Sequence, residues 1–416
     1  MAKTGTTAKR RIVAGLDIGS SKVLVIIASV GAETIDVIGL GSVASQGVRQ
    51  GSIVDIEATT QAIIKAREEA ELMAGVQITE AWVGVAGTHI TSFDSRGMVA
   101  IRHEEVAPSD VERVIDAAKA VAIPTDREVL HVLAREFQVD DQKGILDPIG
   151  MSGVRLEASV HIITASHTAL TNIRKCTEKA GLRFQGAVLK PLASALSVLS
   201  DDEKNLGVAV VDMGAGTCDI AVYHQGSVVS TSFVPVGGQH FTHDVSLGLR
   251  SPQASAELLK KKHGCALADL VSEDENIEVE GVGGRNPRTV RRKSLSEVLE
   301  PRAEETLEMI QEKIRDSGYL EILGSGIVLT GGASQLEGLI EMGEFIFDVP
   351  VRMGSPTRCG GLTDVVRSPV YATGIGLLLY AAGQLREEKQ EKQDHPESLL
   401  SSWARRVKEY FTVALD

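Results

Sequence analysis

GLDIGSSKVLVII, residues 15–27, and VVDMGAGTCDIAVY, residues 210–223, state one pattern twice. Each is an apolar run, an aspartate, an apolar residue, a glycine, small residues and a second apolar run, which reads as a strand, a tight turn and a second strand. The equivalent aspartates are Asp17 and Asp212, and the same interval separates Gly19 from Gly214 and Lys22 from Thr217. The composition of the turns suits phosphate. Small residues let the backbone approach phosphate oxygens closely, and exposed turn N–H groups cradle an anion. An aspartate ending each strand can hold Mg²⁺, usually through water, because Mg²⁺ keeps part of its hydration shell. Two such turns face to face would clamp a triphosphate between Gly19, Ser20, Ser21 and Lys22 on one side and Gly214, Ala215, Gly216 and Thr217 on the other, with Asp17 and Asp212 as the metal candidates.

A single D-x-G turn is an ordinary hairpin, and it is the second copy that argues for chemistry. A third element points the same way. GIVLTGGA, residues 326–333, is an apolar strand ending in Gly331 and Gly332, a pair that lets backbone approach a purine and its ribose, with Ala333 next to it. Glu257 and Lys260 stand three apart on one helical face. They read either as contacts to ribose and adenine or as a solvated ion pair.

The bulk properties bound the alternatives. A chain of 416 residues is expected to form two to four domains. Its 43% hydrophobic and 24% charged residues are ordinary for a soluble globular protein, and a net charge of −13 argues against nucleic acid as a partner. Cys176, Cys218, Cys265 and Cys359 form no CxxC pair, so a reduced cytosolic protein is expected rather than a disulfide framework or a zinc site. Residues 1–11 are polar and basic, with no apolar signal segment after them. The apolar stretch 371–382 is too short to span a bilayer and contains Gly374 and Gly376.

Along the chain, strands are expected at 12–16, 22–28, 34–40 and 80–86, and a helix at 55–74. Residues 88–161 read as an inserted module whose helix begins at Ser109, with Glu112 completing a capping box. A core strand is expected to return at 161–165, before a helix at 166–180. The second half opens with the strand 208–211, contains a polar stretch at 272–293 and continues into a helix at 296–317. Charged residues and Gln from Arg386 read as a flexible linker. Beyond it, Leu399, Leu400, Trp403, Val407, Tyr410, Phe411 and Ala414 follow three- and four-residue steps, with Arg405, Arg406 and Lys408 off the centre of the stripe. That pattern suits an interfacial helix on anionic lipid. A helix docked on the protein's own core or on a second subunit has the same periodicity.

The longer runs carry a resemblance. They are DIGSSK (17–22), HVLAREFQVD (131–140), VVDMGAGTCDIAVY, KHGCAL (262–267), GGRNPR (283–288), SEVLEPR (296–302) and IVLTGGASQLEGL (327–339). In this order, over essentially the whole chain, they resemble the bacterial cell-division FtsA family within the actin, Hsp70 and sugar-kinase superfamily. The resemblance implies an actin-like α/β fold: two ribonuclease-H-like halves around a nucleotide cleft, with an α+β subdomain inserted in the first half. The corresponding division is 12–87 and 164–206 for the first half (1A), 88–163 for the inserted subdomain (1C), 207–246 and 321–385 for the second half (2A) and 247–320 for subdomain 2B. Outside these lie a disordered N-terminus at 1–11, a linker at 386–397 and a membrane-targeting helix at 398–416. It implies ATP and Mg²⁺ in the cleft and adds Gly237 and Gly238 to the cofactor residues. Also implied are self-association into filaments, recruitment of the tubulin-like FtsZ through its C-terminal tail, and contacts of residues 88–163 with later division proteins. The protein is then expected on the cytoplasmic face of the inner membrane at the division site, held by anionic lipids.

One position departs from filament-forming relatives. Residues 190–194 read Lys-Pro-Leu-Ala-Ser, with lysine where the resemblance expects an acidic or amide side chain that positions the attacking water. Lysine cannot accept that proton, so any ATP hydrolysis is expected to be weak and the protein is read as a non-enzyme. The alternative, a sugar-kinase-like phosphotransferase, needs a catalytic Asp and a sugar pocket for which no motif is found. A chaperone of the Hsp70 class would need a large substrate domain, and only about thirty residues follow Gly383. The cation-rich residues 283–302, chiefly Arg285, Arg288, Lys293 and Arg302, are read as the site for the acidic FtsZ tail, with Leu295 and Leu299 nearby to receive its apolar side chains. A solvated basic loop is the plain alternative.

Overall fold

The structure is a computed structural model, and it describes residues 11–31 and 34–394. The tail stripe from Leu399 to Phe411, the basic N-terminal residues and the end of the expected linker lie outside the described residues. The first half opens with β1 (Arg11–Ile18), β2 (Lys22–Val30) and β3 (Ile35–Ala44), followed by α1 (Ile56–Ala74) and β4 (Glu80–Val85). Asp55 caps α1, accepting from the Ala58 N–H at 3.0 Å, which is worth about 1 kcal/mol to the helix. The inserted subdomain then contributes β5 (Ile90–Ala100), α2 (Pro108–Lys119), β6 (Arg127–Val139), β7 (Gln142–Ile145) and β8 (Arg155–Ser166). The chain returns through α3 (His167–Lys179), β9 (Arg183–Leu189) and α4 (Lys190–Val198).

The second half repeats the plan with β10 (Val208–Met213), β11 (Cys218–His224) and β12 (Ser227–Val234). The excursion that follows holds α5 (Gly238–Gly248), α6 (Gln253–His263), the hairpin β13 (Asn276–Val279) and β14 (Arg288–Arg291), and the long α7 (Arg292–Asp316). The sheet is completed by β15 (Ile327–Thr330), α8 (Leu339–Phe347) and β16 (Val351–Met353), and α9 (Ala372–Asp394) ends the described chain.

The two sheets share a five-strand plan. Their orders are β9-β4-β1-β2-β3 and β16-β15-β10-β11-β12, and the first is extended at its β3 edge by the short parallel strand Gly360–Gly361, from a stretch expected in the second half. In each, three antiparallel strands form a meander whose first member pairs in parallel with a later strand, β1 with β4 and β10 with β15. This is the duplicated architecture that the repeat and the resemblance led us to expect. Both faces of each sheet are covered, so the strands run continuously apolar. Leu16, Val25 and Ile27 pack with α1 and α3, while Ile26 and Ala28 pack on the opposite face with Ile375 and Leu378 of α9. In the second half, Val211, Ile220 and Leu329 pack with Leu295, Leu299, Leu307 and Ile310 of α7.

The inserted subdomain is an antiparallel sheet, β5-β8-β6-β7, with α2 against it. It has its own core, where Val111, Val114 and Ile115 meet Phe137, Leu156 and Ile162. Its near end is shared, since Ile90, Leu133 and Ile163 belong to the core of the first half. It also reaches the second half: Ser92 Oγ donates to the Thr231 carbonyl at 3.0 Å, and Ser227 Oγ to the Arg135 carbonyl at 3.1 Å.

Several expectations need correction. The strand expected at 161–165 is the end of β8 and belongs to the inserted sheet, because the hairpin partners β5 and β6 run its full length. The N-cap of α2 is Ala107 rather than Ser109: Pro108 fixes the first helical position, and Asp110 reaches back to the Ala107 N–H at 2.9 Å. The helix expected at 296 starts at Arg292 and tolerates Pro301 within it. Residues 386–394, read as linker, are helical as the end of α9, consistent with the good helix propensity of Glu, Lys, Gln and Arg.

Candidate functional site: a cleft between two matched turns

The two repeats end in the same local geometry. Gly19 N–H donates to the Lys22 carbonyl at 3.0 Å, and Gly214 N–H donates to the Thr217 carbonyl at 2.9 Å. Each bond closes a tight turn between paired strands. The turns meet. A Cβ added at Gly216 would lie 2.9 Å from Ser20 Oγ, and Gln239 Nε2 donates to the Ser20 carbonyl at 3.1 Å.

Between the halves lies a cleft of about 1140 Å³. It is lined by Asp17, Gly19, Ser20, Ser21 and Lys22 from the first repeat and by Asp212, Gly214, Ala215, Gly216 and Thr217 from the second. Gly238, Glu257, Lys260, Gly331, Gly332 and Ala333 complete the expected set. Gly237 does not line it. That residue sits behind the second turn, where the adjoining Gly238 N–H donates to the Gly214 carbonyl at 2.9 Å, so its part is support of the loop.

Side-chain partners differ sharply between the two aspartates, although both are buried. The Lys190 ammonium sits 2.7 Å from Asp17 and donates to the Ile18 carbonyl at 2.9 Å. Asp212 instead accepts from two hydroxyls, Ser194 at 2.6 Å and Thr373 at 2.7 Å. Burial opposes the charge on Lys190, but Asp17, then Asp212 and Asp219, outweigh it and raise its pKa. Lys22 donates to the Val370 carbonyl at 2.7 Å and lies 4.5 Å over the Tyr371 ring. Burial pushes its pKa down to about 8 against the pull of Asp17 and Asp212.

Asp219 was not anticipated. It stands across the strand pair from Asp212, where the first repeat has Leu24 across from Asp17. Burial first, then the neighbouring Asp212, push its carboxyl up to about 7, although Thr217 donates to it at 2.8 Å. The register of the second hairpin was the available signal. Ser194 and Thr373, distant in sequence, had none.

Gly331 takes φ +86, and a Cβ there would lie 2.5 Å from Asp212 Oδ1. Glycine is therefore required both by the backbone and by the close approach. At the cleft's far wall, Lys260 lies 2.7 Å from Glu257 and donates to the Gly238 carbonyl at 2.7 Å and to Thr242 at 2.8 Å. The pair is thus a partly buried clasp between α6 and α5 rather than a solvated ion pair.

The expected partner residues have partners of their own. Arg302 is forked onto Asp244 of α5, with its Nε 2.6 Å away, and onto Glu305. Lys293 pairs with Glu273 at 2.6 Å, and Arg288 donates to the Leu249 carbonyl at 2.5 Å. Arg285 lies exposed in the turn between β13 and β14. Leu295 and Leu299 are fully buried in the second half's core and present nothing to a peptide. The apolar side chains this subdomain does expose include Leu247, Leu258, Leu270 and Val282.

Comparison with known proteins decides the family. The chain is 49% identical over 371 residues to the cell division protein FtsA of Pseudomonas aeruginosa, covering 89% of each. It is 40% identical over 406 residues to that of Escherichia coli K12, covering 96% of this chain and 97% of the relative. This chain belongs to the FtsA family. It is an actin-like cell-division protein. The family model for cell division protein FtsA matches residues 209–376, and that for the SHS2 domain inserted in FtsA matches residues 87–164. The second match takes in the inserted sheet and α2. FtsA of Bacillus subtilis is 40% identical over 373 residues. Solved structures share the fold at low identity: a PilM-PilN type IV pilus biogenesis complex (TM-score 0.62, 15% identical, 89% of this chain and 98% of that one), and MreB 5 of Spiroplasma citri bound to AMPPNP (TM-score 0.53, 12% identical, 92% and 99%).

No described helix is long and apolar enough to cross a membrane. Among the described residues no group of three or more His, Cys, Asp or Glu side chains could hold a metal ion. Asp212 and Asp219, opposite each other across the strand pair, are oxygen donors of the kind that a hard cation takes together with waters and phosphate oxygens.

Proposed function

We propose that this FtsA-family chain is an ATP-dependent membrane adaptor of cell division. In this reading it binds Mg-ATP between its halves, associates with copies of itself, and ties an FtsZ filament to the inner membrane. The observation that carries the nucleotide reading is the pair of identically closed turns meeting across one cleft, each with a buried aspartate behind it. Turn N–H groups on both sides suit a polyphosphate, and the Gly331–Gly332 step leaves room for the nucleoside. Mg²⁺, when bound, supplies charge neutralisation between phosphates and carboxylates. Asp212, with Asp219 beside it, is the carboxylate placed to hold it through water. Lys190 cannot serve as the base for an attacking water while it is protonated against Asp17, which supports weak hydrolysis at most.

Membrane attachment rests on the sequence of the tail, with Trp403 and Phe411 as anchors and Arg405, Arg406 and Lys408 drawn to anionic lipid at roughly 1 kcal/mol each. The FtsZ tail, an acidic peptide, is received by the excursion from α5 to α7. Arg285 supplies exposed charge there, and Arg302 exchanges an internal carboxylate for the peptide's. Co-sedimentation tests the adaptor directly. An FtsZ-tail peptide should pellet with anionic liposomes only when the full chain is added, and should stay in the supernatant when the last eighteen residues are removed. Pelleting that is indifferent to the tail would end the adaptor reading.

A further inference from the structure

We propose that Lys190 is a built-in counter-cation which takes over, at Asp17, the charge neutralisation that a metal ion would otherwise provide. The inference rests on the nucleotide reading and extends it to the metal dependence of binding. Its basis is an asymmetry within a symmetric frame. Asp17 and Asp212 end equivalent strands and are about equally buried, yet among the described residues it is Asp17 that has a cation within ion-pair distance, the Lys190 ammonium at 2.7 Å. Asp212 is held by two neutral hydroxyls. The other ammonium on this floor, Lys22, is directed to the Val370 carbonyl and the Tyr371 ring.

Lys190 is also fixed in place. It is the first residue of α4, follows directly on β9, and is tied to β1 through the Ile18 carbonyl at 2.9 Å. Its side chain is largely buried, so it does not swing out to water. A triphosphate entering the cleft meets carboxylates on the floor, and like charges at short range in a partly desolvated site repel strongly. On the Asp17 side that repulsion is already cancelled by a covalently attached cation. The metal's share of the work is confined to the Asp212 side. Nucleotide binding is therefore expected to depend only weakly on Mg²⁺.

The test is calorimetric titration of ATP into the full chain with Mg²⁺ and with EDTA, for wild type, Lys190→Met, Lys190→Gln and Lys190→Arg. The wild-type Kd should change by less than about tenfold on metal removal, and in Lys190→Met the same change should grow by at least about tenfold more. Lys190→Arg, which keeps the charge, should behave as wild type. Lys190→Gln, which has a hydrogen-bond donor but no charge, should behave as Lys190→Met and stands in for it if that variant does not fold. A merely structural lysine would lower affinity equally with and without metal, and that result overturns the proposal. Equal metal dependence in wild type and in both uncharged variants overturns it too. Failure of the folded wild type to bind ATP even with Mg²⁺ overturns the nucleotide reading itself, and the two failures are told apart by that first titration.

Discussion

His131 shows how a single residue couples the inserted subdomain to the cleft. It lies on β6, and its Nε2 accepts the N–H of Leu189, the residue before Lys190, at 3.0 Å. An acceptor nitrogen must be unprotonated, and burial pushes this imidazole down to about 4 from an ordinary 6.5. The folded state therefore binds fewer protons than the unfolded state between these values, and stability must fall as pH falls from 6.5 to 4. The loss from this residue amounts to roughly 3 kcal/mol at full protonation. Denaturant titrations at pH 7 and pH 4.5 should show the drop, and His131→Leu should lessen it while costing about 1–3 kcal/mol at pH 7 by orphaning the Leu189 N–H. An equal pH slope in the variant would show that other groups carry it. At this scale the sequence is legible where a residue acts through its own neighbours. The turns of the repeat and the Glu257–Lys260 pair are of that kind. It is not legible where the partner is brought by topology: nothing near Asp17, Asp212 or Leu189 names Lys190, Thr373 or His131 as the group that will meet it.

Among the elements, α7 carries the most consequence for partner binding. Its buried stripe of Leu295, Leu299, Ala303, Leu307, Ile310 and Ile314 holds the excursion to the second half, and Arg302 on the flank ties it to Asp244 of α5. Arg302→Glu should weaken FtsZ-tail peptide binding by at least about tenfold, measured by fluorescence anisotropy. It should also lower stability, since glutamate would face Asp244. Asp244→Asn separates the two effects, because it releases the guanidinium without opposing it. Peptide binding in that variant should equal or exceed wild type. A loss there similar to that of Arg302→Glu would mean that the Arg302–Asp244 contact serves packing alone. The existence of α7 and of its apolar stripe was readable from periodicity. The stripe's destination was not, because a 3.6-residue repeat describes a core-facing helix and a peptide-binding helix alike. The same limit explains the strand expected at 161–165: its apolar run is as well suited to the inserted sheet as to the central one.

For the whole molecule, the decisive signal was repetition. One aspartate-glycine turn is common, but two copies fix two sheets of the same order and place their turns opposite each other. The inserted subdomain was recognisable as an insertion because it interrupts that plan. Its grip on the first half through Ile90, Leu133 and Ile163, and on the second through Ser92 and Arg135, was not, since no sequence pattern marks contacts between distant surfaces. That grip predicts that deleting residues 88–163 lowers the stability of the rest, which sets a structural cost beside any loss of partner contacts.

The central claim is that both turns hold one nucleotide. It is tested most directly by calorimetric titration of Mg-ATP into wild type and into two single variants, Ser20→Asp in the first turn and Ala215→Asp at the equivalent position of the second. Wild type should bind one ATP per chain. Each places a negative charge in one half of the anion cradle, so each should weaken binding by at least about tenfold. Binding unchanged in both folded variants, or no binding by the wild type, would contradict it.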